Sequence, residues 1–168
     1  MKTRHTPFTA AATAAAAAVV VATAFALGPA VPAFAADEHH HAAGEPAKLT
    51  LNAGKKWATD EPLRKNMTEI RTALAAKHAG IHKGTLTPDE YKALGTLVEA
   101  RVASIVAECK LEAAADANLH LIVGELVAGA DAMQGKAQVT PSVGAVQTVR
   151  AVNDYGQYFN HPGWKPLG

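Results

Sequence analysis

The sequence predicts an all-α protein, an antiparallel up-down-up-down four-helix bundle that follows a signal peptide. Alanine, the strongest helix former, supplies 38 of the 168 residues, and aromatic residues supply only 5%. Apolar residues recur at helical spacing in four segments, and no run alternates between apolar and polar positions as a half-buried strand would. Because the connections between the segments are short, neighbouring helices should run in opposite directions.

The first 35 residues have the pattern of a secretory signal peptide. A short basic start precedes an apolar run over residues 8–27, and Ala33-Phe34-Ala35 is a small-x-small cleavage sequence. Cleavage after Ala35 predicts a periplasmic or secreted protein. An uncleaved membrane anchor is the alternative, since the apolar run could span a bilayer. No later segment is as long and apolar, so we expect no stable membrane insertion after cleavage.

Residues 36–56 form a leader in which alanine, acidic residues, histidine, glycine, proline and lysine follow no periodicity. This composition predicts a flexible segment. We therefore expect ordered structure to begin near Trp57, with residues 57–168 forming the bundle domain.

The first two helices have clear boundary signals. Thr59 or Asp60 can cap the first helix, with Pro62 in its first turn and Gly84 as its stop. Thr87-Pro88-Asp89-Glu90 is a capping box that begins the second helix. The predicted stripes are Leu63, Met67, Ile70, Leu74, then Lys77 or His78, and Ile81 in the first helix, and Tyr91, Leu94, Val98, Val102, Ile105 and Cys109 in the second.

The third helix is predicted from about Asp116 to Gln134. Thr140-Pro141 begins the fourth helix in the manner of the second, and the fourth ends near Asn160 because His161 precedes a proline. The predicted inner positions are Leu119, Ile122 or Val123, Leu126, Ala130 and Met133 in the third helix, and Val146, Val149, Val152, Gly156 and Phe159 in the fourth.

Composition and motifs exclude several functions. A single cysteine cannot form an intrachain disulfide, a multi-cysteine zinc site or an iron–sulfur cluster. A formal net charge of +1 gives no general electrostatic attraction to nucleic acid. The sequence has no nucleophile elbow, zinc-protease motif, phosphate loop or calcium loop. We expect a non-enzymatic protein with no nucleic-acid partner.

Histidines supply the candidate metal ligands. His39, His40 and His41 follow the predicted cleavage site, where a mobile chain can wrap Cu²⁺ or Ni²⁺. His78 and His82 are four residues apart, so on a helix they share one face and can reach one ion. The alternatives are a solvated polar tail for the tract and a favourable helix C-terminus for the pair. Imidazole suits copper, nickel and zinc, and copper is our first expectation.

The sulfur-containing residues give a second interpretation. Met67, Met133 and Cys109 fall on the predicted buried stripes, and a sulfur-lined interior could hold Cu(I). The simpler interpretation is that they are ordinary core residues. In an oxidising compartment Cys109 would have no intrachain partner, so we expect a monomer or a homodimer joined through this thiol.

The two remaining histidines of the bundle are expected to be structural. His120 lies beside the predicted stripe of the third helix, where it could bond a neighbouring carbonyl. His161 begins the closing sequence His161-Pro162-Gly163-Trp164, and we expect Trp164 to cover one end of the bundle, against Trp57.

Three short strings resemble cytochrome b562. They are Leu63-Arg64-Lys65-Asn66-Met67-Thr68-Glu69-Ile70, Leu121-Ile122-Val123-Gly124-Glu125-Leu126 and Asn153-Asp154-Tyr155-Gly156-Gln157-Tyr158. The resemblance implies a four-helix bundle in which Met67 matches an axial haem ligand. The family's axial histidine would follow Tyr155, where this chain has Gly156. A haem would therefore need a displaced histidine.

The chain also resembles a set of small, secreted proteobacterial four-helix proteins of unsettled role. The matching features are Trp57 to Asp60, Cys109-Lys110-Leu111, Leu119-His120-Leu121 and His161-Pro162-Gly163-Trp164. This resemblance implies a fold and a compartment, and no activity.

Three functions follow as hypotheses. The first is a non-enzymatic, extracytoplasmic bundle that binds a transition-metal ion, copper first, through His39–His41, His78 and His82. The second is a haem-binding electron carrier related to cytochrome b562 that uses Met67. The third is a metal-free envelope or stress-response protein whose histidines have no ligand.

Overall fold

The computed structural model describes residues 47–168, and four helices account for most of them. These are α1 (Glu61–Lys83), α2 (Pro88–Glu108), α3 (Ala113–Met133) and α4 (Pro141–Tyr158). Strand-like pairing within residues 47–168 is limited to two isolated β-bridges. The predicted all-α class with four packed helices is confirmed. The predicted signal peptide and the leader up to residue 46 lie outside the described residues.

Local capping explains where the first two helices begin. The Asp60 carboxylate accepts a hydrogen bond of 3.0 Å from the backbone N–H of Leu63, and α1 ends at Gly84 in the left-handed conformation. Thr87 and Glu90 form the predicted capping box at the start of α2.

The start of α3 differs from its prediction. This helix begins at Ala113, three residues before Asp116, because the run of three alanines continues the helix towards its N-terminus. Thr140 precedes α4 as predicted, but its side chain makes no cap bond with the helix. Its hydroxyl lies 3.1 Å from that of Ser142 instead.

Ion pairs and hydrogen bonds between helices show how the chain is laid out. Lys77 of α1 meets Glu90 of α2 at 2.8 Å, and Glu69 meets Arg101 at 2.8 Å. The later residue of α1 contacts the earlier residue of α2, and the earlier residue of α1 contacts the later residue of α2. This is the order expected of antiparallel neighbours.

Buried residues of α1, α2 and α3 follow the predicted stripes, with Ile122 rather than Val123 facing inward and Cys109 only half-buried. The stripe of α4 was partly wrong. Val146 and Val149 are half-buried, whereas Ala145, Thr148 and Tyr155 are fully buried. The first half of the inner face of α4 consists of small residues, Gly144, Ala145 and Thr148, which allow α3 to approach closely.

Gly129 of α3 and Gly144 of α4 allow this close approach. A Cβ atom on Gly144 would lie 2.5 Å from the Cβ of Ala132 and 2.7 Å from the carbonyl oxygen of Gly129. The buried Thr148 hydroxyl donates to the Gly144 carbonyl at 2.9 Å, so it is satisfied within its own helix.

Ordered structure begins earlier than Trp57. The backbone N–H of Thr50 donates to the side-chain oxygen of Asn118 at 2.8 Å, and the indole N–H of Trp57 donates to the Thr50 carbonyl at 2.6 Å. Leu49 packs against the core. Residues 49–56 therefore belong to the bundle domain, although their sequence carries no periodic signal.

The two ends of the described chain meet at one end of the bundle, in what we call the terminal contact (Trp57 with residues 158–160). The N–H of Trp57 donates to the Tyr158 carbonyl, and the N–H of Asn160 donates to the Trp57 carbonyl, both at 2.8 Å. Phe159 between them is fully buried and stacks on Tyr155 at 5.4 Å. This contact fixes the direction of the closing segment, residues 159–165, which returns over α1.

Candidate functional site

His78 and His82 lie together in the last turns of α1. Their ring centroids are 6.5 Å apart and the rings are tilted by 42°. His78 is half-buried and His82 is exposed, so the pair faces solvent while Ile81 anchors the same turn in the core. The helix continues through Gly80, and the absence of a Cβ there leaves room for the side chain of Leu86. The predicted proximity of the two imidazoles is therefore present.

The surroundings of the His78–His82 pair are open and polar. Lys77 forms an ion pair with Glu90, and this hydrogen bond is the main reason that the pKa of Glu90 falls to about 2. A groove of 510 Å³ lies beside His82 between the end of α1 and the start of α4. Its lining includes Val143, Val146 and Arg150.

No group of three or more His, Cys, Asp or Glu side chains in the described part of the chain has the geometry to hold a metal ion. A metal at the pair would thus take two protein ligands from α1. His39, His40 and His41 lie outside residues 47–168, so the tract stays a prediction.

The structure separates the sulfur atoms that the sequence grouped together. A Cβ on Gly95, in the first half of α2, would lie 3.1 Å from the Cβ of Met133. Cys109 follows Gly95 by fourteen residues, which is about 20 Å along a helix. Met133 and Cys109 therefore lie towards opposite ends of α2 and cannot form one Cu(I) site. Met67 is fully buried in the core.

Asp60 joins the start of α1 to the end of α2. One carboxylate oxygen caps α1, and the other accepts from the backbone N–H of Lys110 at 2.7 Å. The half-buried thiol of Cys109 also bonds this carboxylate. Burial, followed by the negative charge and the hydrogen bond of Asp60, raises the pKa of Cys109 to about 12.

We expect Cys109 to react slowly with iodoacetamide at pH 8. A thiol with a pKa of about 12 holds so little thiolate at that pH that alkylation should be about a thousandfold or more slower than for free cysteine. Asp60→Asn keeps a capping oxygen and removes the charge, so it should speed the reaction. Mass spectrometry of the alkylated fraction over time gives both rates. Wild-type alkylation at the rate of free cysteine would contradict the assignment.

His120 is exposed on α3 and bonds within its own helix. Its Nδ1 lies 2.9 Å from the Asp116 carbonyl oxygen and 3.3 Å from the Asp116 carboxylate. Both residues line a cavity of 280 Å³ between α2 and α3, beside Cys109. His120 thus bonds the carbonyl four residues earlier rather than one on a neighbouring helix.

His161 is held between Tyr155 and Thr68. The Thr68 hydroxyl donates to the Arg64 carbonyl at 2.8 Å, so it can only accept from His161 Nε2, which lies 3.4 Å away. Nδ1 of His161 is then the acceptor for the Tyr155 hydroxyl at 2.9 Å. Burial, with a smaller contribution from the charge of Arg64, lowers the pKa of His161, which agrees with this neutral ring.

Trp164 covers the position at which the cytochrome b562 pattern would carry its histidine. Its indole packs on Tyr155 at 4.8 Å and on His161 at 4.8 Å. A Cβ on Gly156 would collide with the indole Nε1, so a side chain there would displace Trp164. The ring contacts of Trp164 are therefore with the closing segment and α4, and Arg71 lies over its outer face at 5.8 Å.

Three cations of α1 were not among the residues predicted for a site. Arg64, Lys65 and Arg71 lie on the part of α1 that the closing segment borders, next to Thr68. Arg64 and Arg71 are seven residues apart, a spacing that places both on one face of a helix, so their shared face could have been predicted.

Among the helices of residues 47–168, none has the length and the apolar composition needed to cross a membrane. Comparison of the chain with protein families, with curated proteins and with solved structures finds no match.

Proposed function

We propose that this chain is an exported, non-enzymatic helical-bundle protein that binds Cu²⁺ through His78 and His82. The observation that carries the proposal is the pair of imidazole rings on one accessible face of α1, with centroids 6.5 Å apart. Export rests on the signal-peptide pattern of residues 1–35.

The spacing of the rings suits one shared ion. Metal–nitrogen bonds of about 2.0–2.1 Å bring two imidazole centroids to roughly 5–6 Å from one another, depending on the angle at the metal. The observed 6.5 Å is close to this range. Small rotations of the exposed His82 side chain would complete the geometry, while the half-buried His78 stays in place.

The electrostatics of the helix end support a bound cation. The C-terminus of a helix carries partial negative charge, and the positive charge of Lys77 is balanced by Glu90 at 2.8 Å. The positive charge of Lys83, which follows His82 in the last turn of α1, would repel the cation. Two histidine ligands leave positions on the metal ion for water or for the leader histidines. We include His39, His40 and His41 as a second, weaker site.

Copper binding is tested on the chain from Ala36 to Gly168. Isothermal titration with Cu²⁺ should give a dissociation constant of about 1 µM or tighter. Replacing both His78 and His82 with alanine should weaken binding roughly tenfold or more, since imidazole is the main ligand type present. His120→Ala is the matched control, because His120 is also an exposed helical histidine and should leave the affinity unchanged.

The other hypotheses predict different results in the same experiment. Loss of binding only when residues 36–46 are deleted would place the site in the leader tract and overturn the pair. An intense absorption band near the blue edge of the visible spectrum in the purified protein would favour the haem carrier. Absence of both metal and haem binding would leave the metal-free envelope protein.

A further inference from the structure

Two neighbouring depressions follow α1 on either side of His161 and Pro162. One, of 460 Å³, is lined by Arg64 and Lys65 among others. The second, of 260 Å³, is lined by Arg71 and Lys165 among others. Thr68, His161 and Pro162 line both, so the two depressions form one shallow groove. We call it the basic groove, defined by Arg64, Lys65, Thr68, Arg71, His161 and Lys165.

Positive charge exceeds negative charge along this groove. Two carboxylates, Glu61 and Glu69, line its first half. The Glu69 carboxylate accepts a hydrogen bond of 2.8 Å from Arg101 outside the groove, so its charge is balanced there. In a chain whose overall formal charge is only +1, this concentration of cations is a local feature.

Both guanidinium groups are fixed before any ligand arrives. Arg64 donates through Nη1 to the Thr59 carbonyl at 2.6 Å and to the Thr59 hydroxyl at 3.1 Å. Arg71 donates through Nε to the Lys165 carbonyl and lies 5.8 Å from the centre of the Trp164 ring. Each arginine has five N–H donors, so several on each remain available to a ligand. Anchored side chains lose less conformational freedom on binding than mobile ones.

We propose that the basic groove binds a ligand that carries two phosphate groups. Guanidinium forks match phosphate oxygens in pairs, and lysines add point charges beside them. Arg64 with Lys65 would hold one phosphate and Arg71 with Lys165 the other. Arg64 and Arg71 are seven residues apart on α1, which separates the two phosphate positions by about 10 Å.

Hexanediol bisphosphate, whose two phosphates are joined by a six-carbon chain, is the probe for this spacing. Calorimetric titration at low ionic strength, in the absence of copper, should show that it binds about tenfold or more tightly than inorganic phosphate, because it engages both cation pairs. Equal affinity for the two compounds, or no binding of the bisphosphate, would overturn the proposal.

Paired lysine variants separate the groove from general electrostatic attraction. Lys65→Gln with Lys165→Gln should weaken bisphosphate binding about tenfold. Lys83→Gln with Lys92→Gln makes the same change in net charge on exposed residues elsewhere and should leave the affinity within about twofold. These four side chains are exposed, and unchanged thermal unfolding of each double variant checks the fold. An equal loss of bisphosphate affinity in the two double variants would contradict specific binding in the groove.

Vesicles distinguish the source of the phosphate. If the chain cosediments with phosphatidylglycerol vesicles and the Lys65 and Lys165 variants do not, the phosphates belong to lipid headgroups. If the bisphosphate binds and the vesicles do not, the ligand is a soluble phosphate compound. Either result supports the basic groove. If neither vesicle binding nor bisphosphate binding depends on Lys65 and Lys165, the proposal is overturned.

Discussion

Replacing Gly144 with alanine should lower the free energy of unfolding by about 2–3 kcal/mol, although alanine is intrinsically better in a helix by about 1 kcal/mol. The new Cβ would lie 2.5 Å from the Cβ of Ala132 and 2.7 Å from the Gly129 carbonyl oxygen. Backbone atoms cannot yield as the end of a flexible side chain can. We therefore expect α3 and α4 to be forced apart over the buried positions beside this contact, including Thr148.

Gly124→Ala is the matched control for this prediction. Gly124 lies on α3, and a Cβ there would meet no atom within 4 Å. The same substitution should raise stability by about 0.5–1 kcal/mol through helix propensity. Urea unfolding followed by circular dichroism measures both changes. Stabilisation by Gly144→Ala to the same extent as by Gly124→Ala would show that the helices do not touch at this point.

Phe159→Ala should cost about 3–5 kcal/mol, the largest effect that we expect from a single truncation. The ring has no exposed surface and stacks on Tyr155, which is also fully buried. Phe159 follows α4 as its C-cap residue and carries the β-bridge to Trp57, so the cavity would form at the terminal contact. The thermal melting temperature should fall accordingly.

Val143→Ala tests whether the burial of Phe159, rather than the loss of apolar area in general, accounts for the loss of stability in Phe159→Ala. Val143 lies on the same helix and is 53% exposed. Its truncation should change stability by less than about 0.5 kcal/mol. Similar losses for Phe159→Ala and Val143→Ala would contradict the burial of Phe159 in the core. Retained cooperativity in both melting curves ensures that the two values can be compared.

Helix positions and most of the core were predictable because both depend on local signals. The capping contacts of Asp60, Thr87 and Gly84 lie within a few residues, so these helix boundaries can be predicted from neighbouring sequence. Large apolar side chains at helical spacing mark an inner face on α1, α2 and α3. The proximity of His78 and His82 follows from the same periodicity once the helix is known to continue through Gly80.

The remaining features depend on contacts between distant residues. The inner face of α4 was misassigned because its small residues face α3, and hydrophobic spacing gives more weight to Val146 and Val149 than to Thr148. Residues 49–56 are ordered by Asn118 and by their contact with the core, which no local pattern reveals. The basic groove needs Lys165 to return to Arg71, and this depends on the direction of the closing segment.

The terminal contact has a consequence for the order of events as the polypeptide is made. Trp57 pairs with Phe159 and Asn160, about a hundred positions later. Helical hairpins close over a few residues and cost little loop entropy, whereas this pairing closes a loop of about a hundred residues. The contact at Trp57 can therefore form only after residues 158–160 have been synthesised, and only then can the protein resist opening from that side.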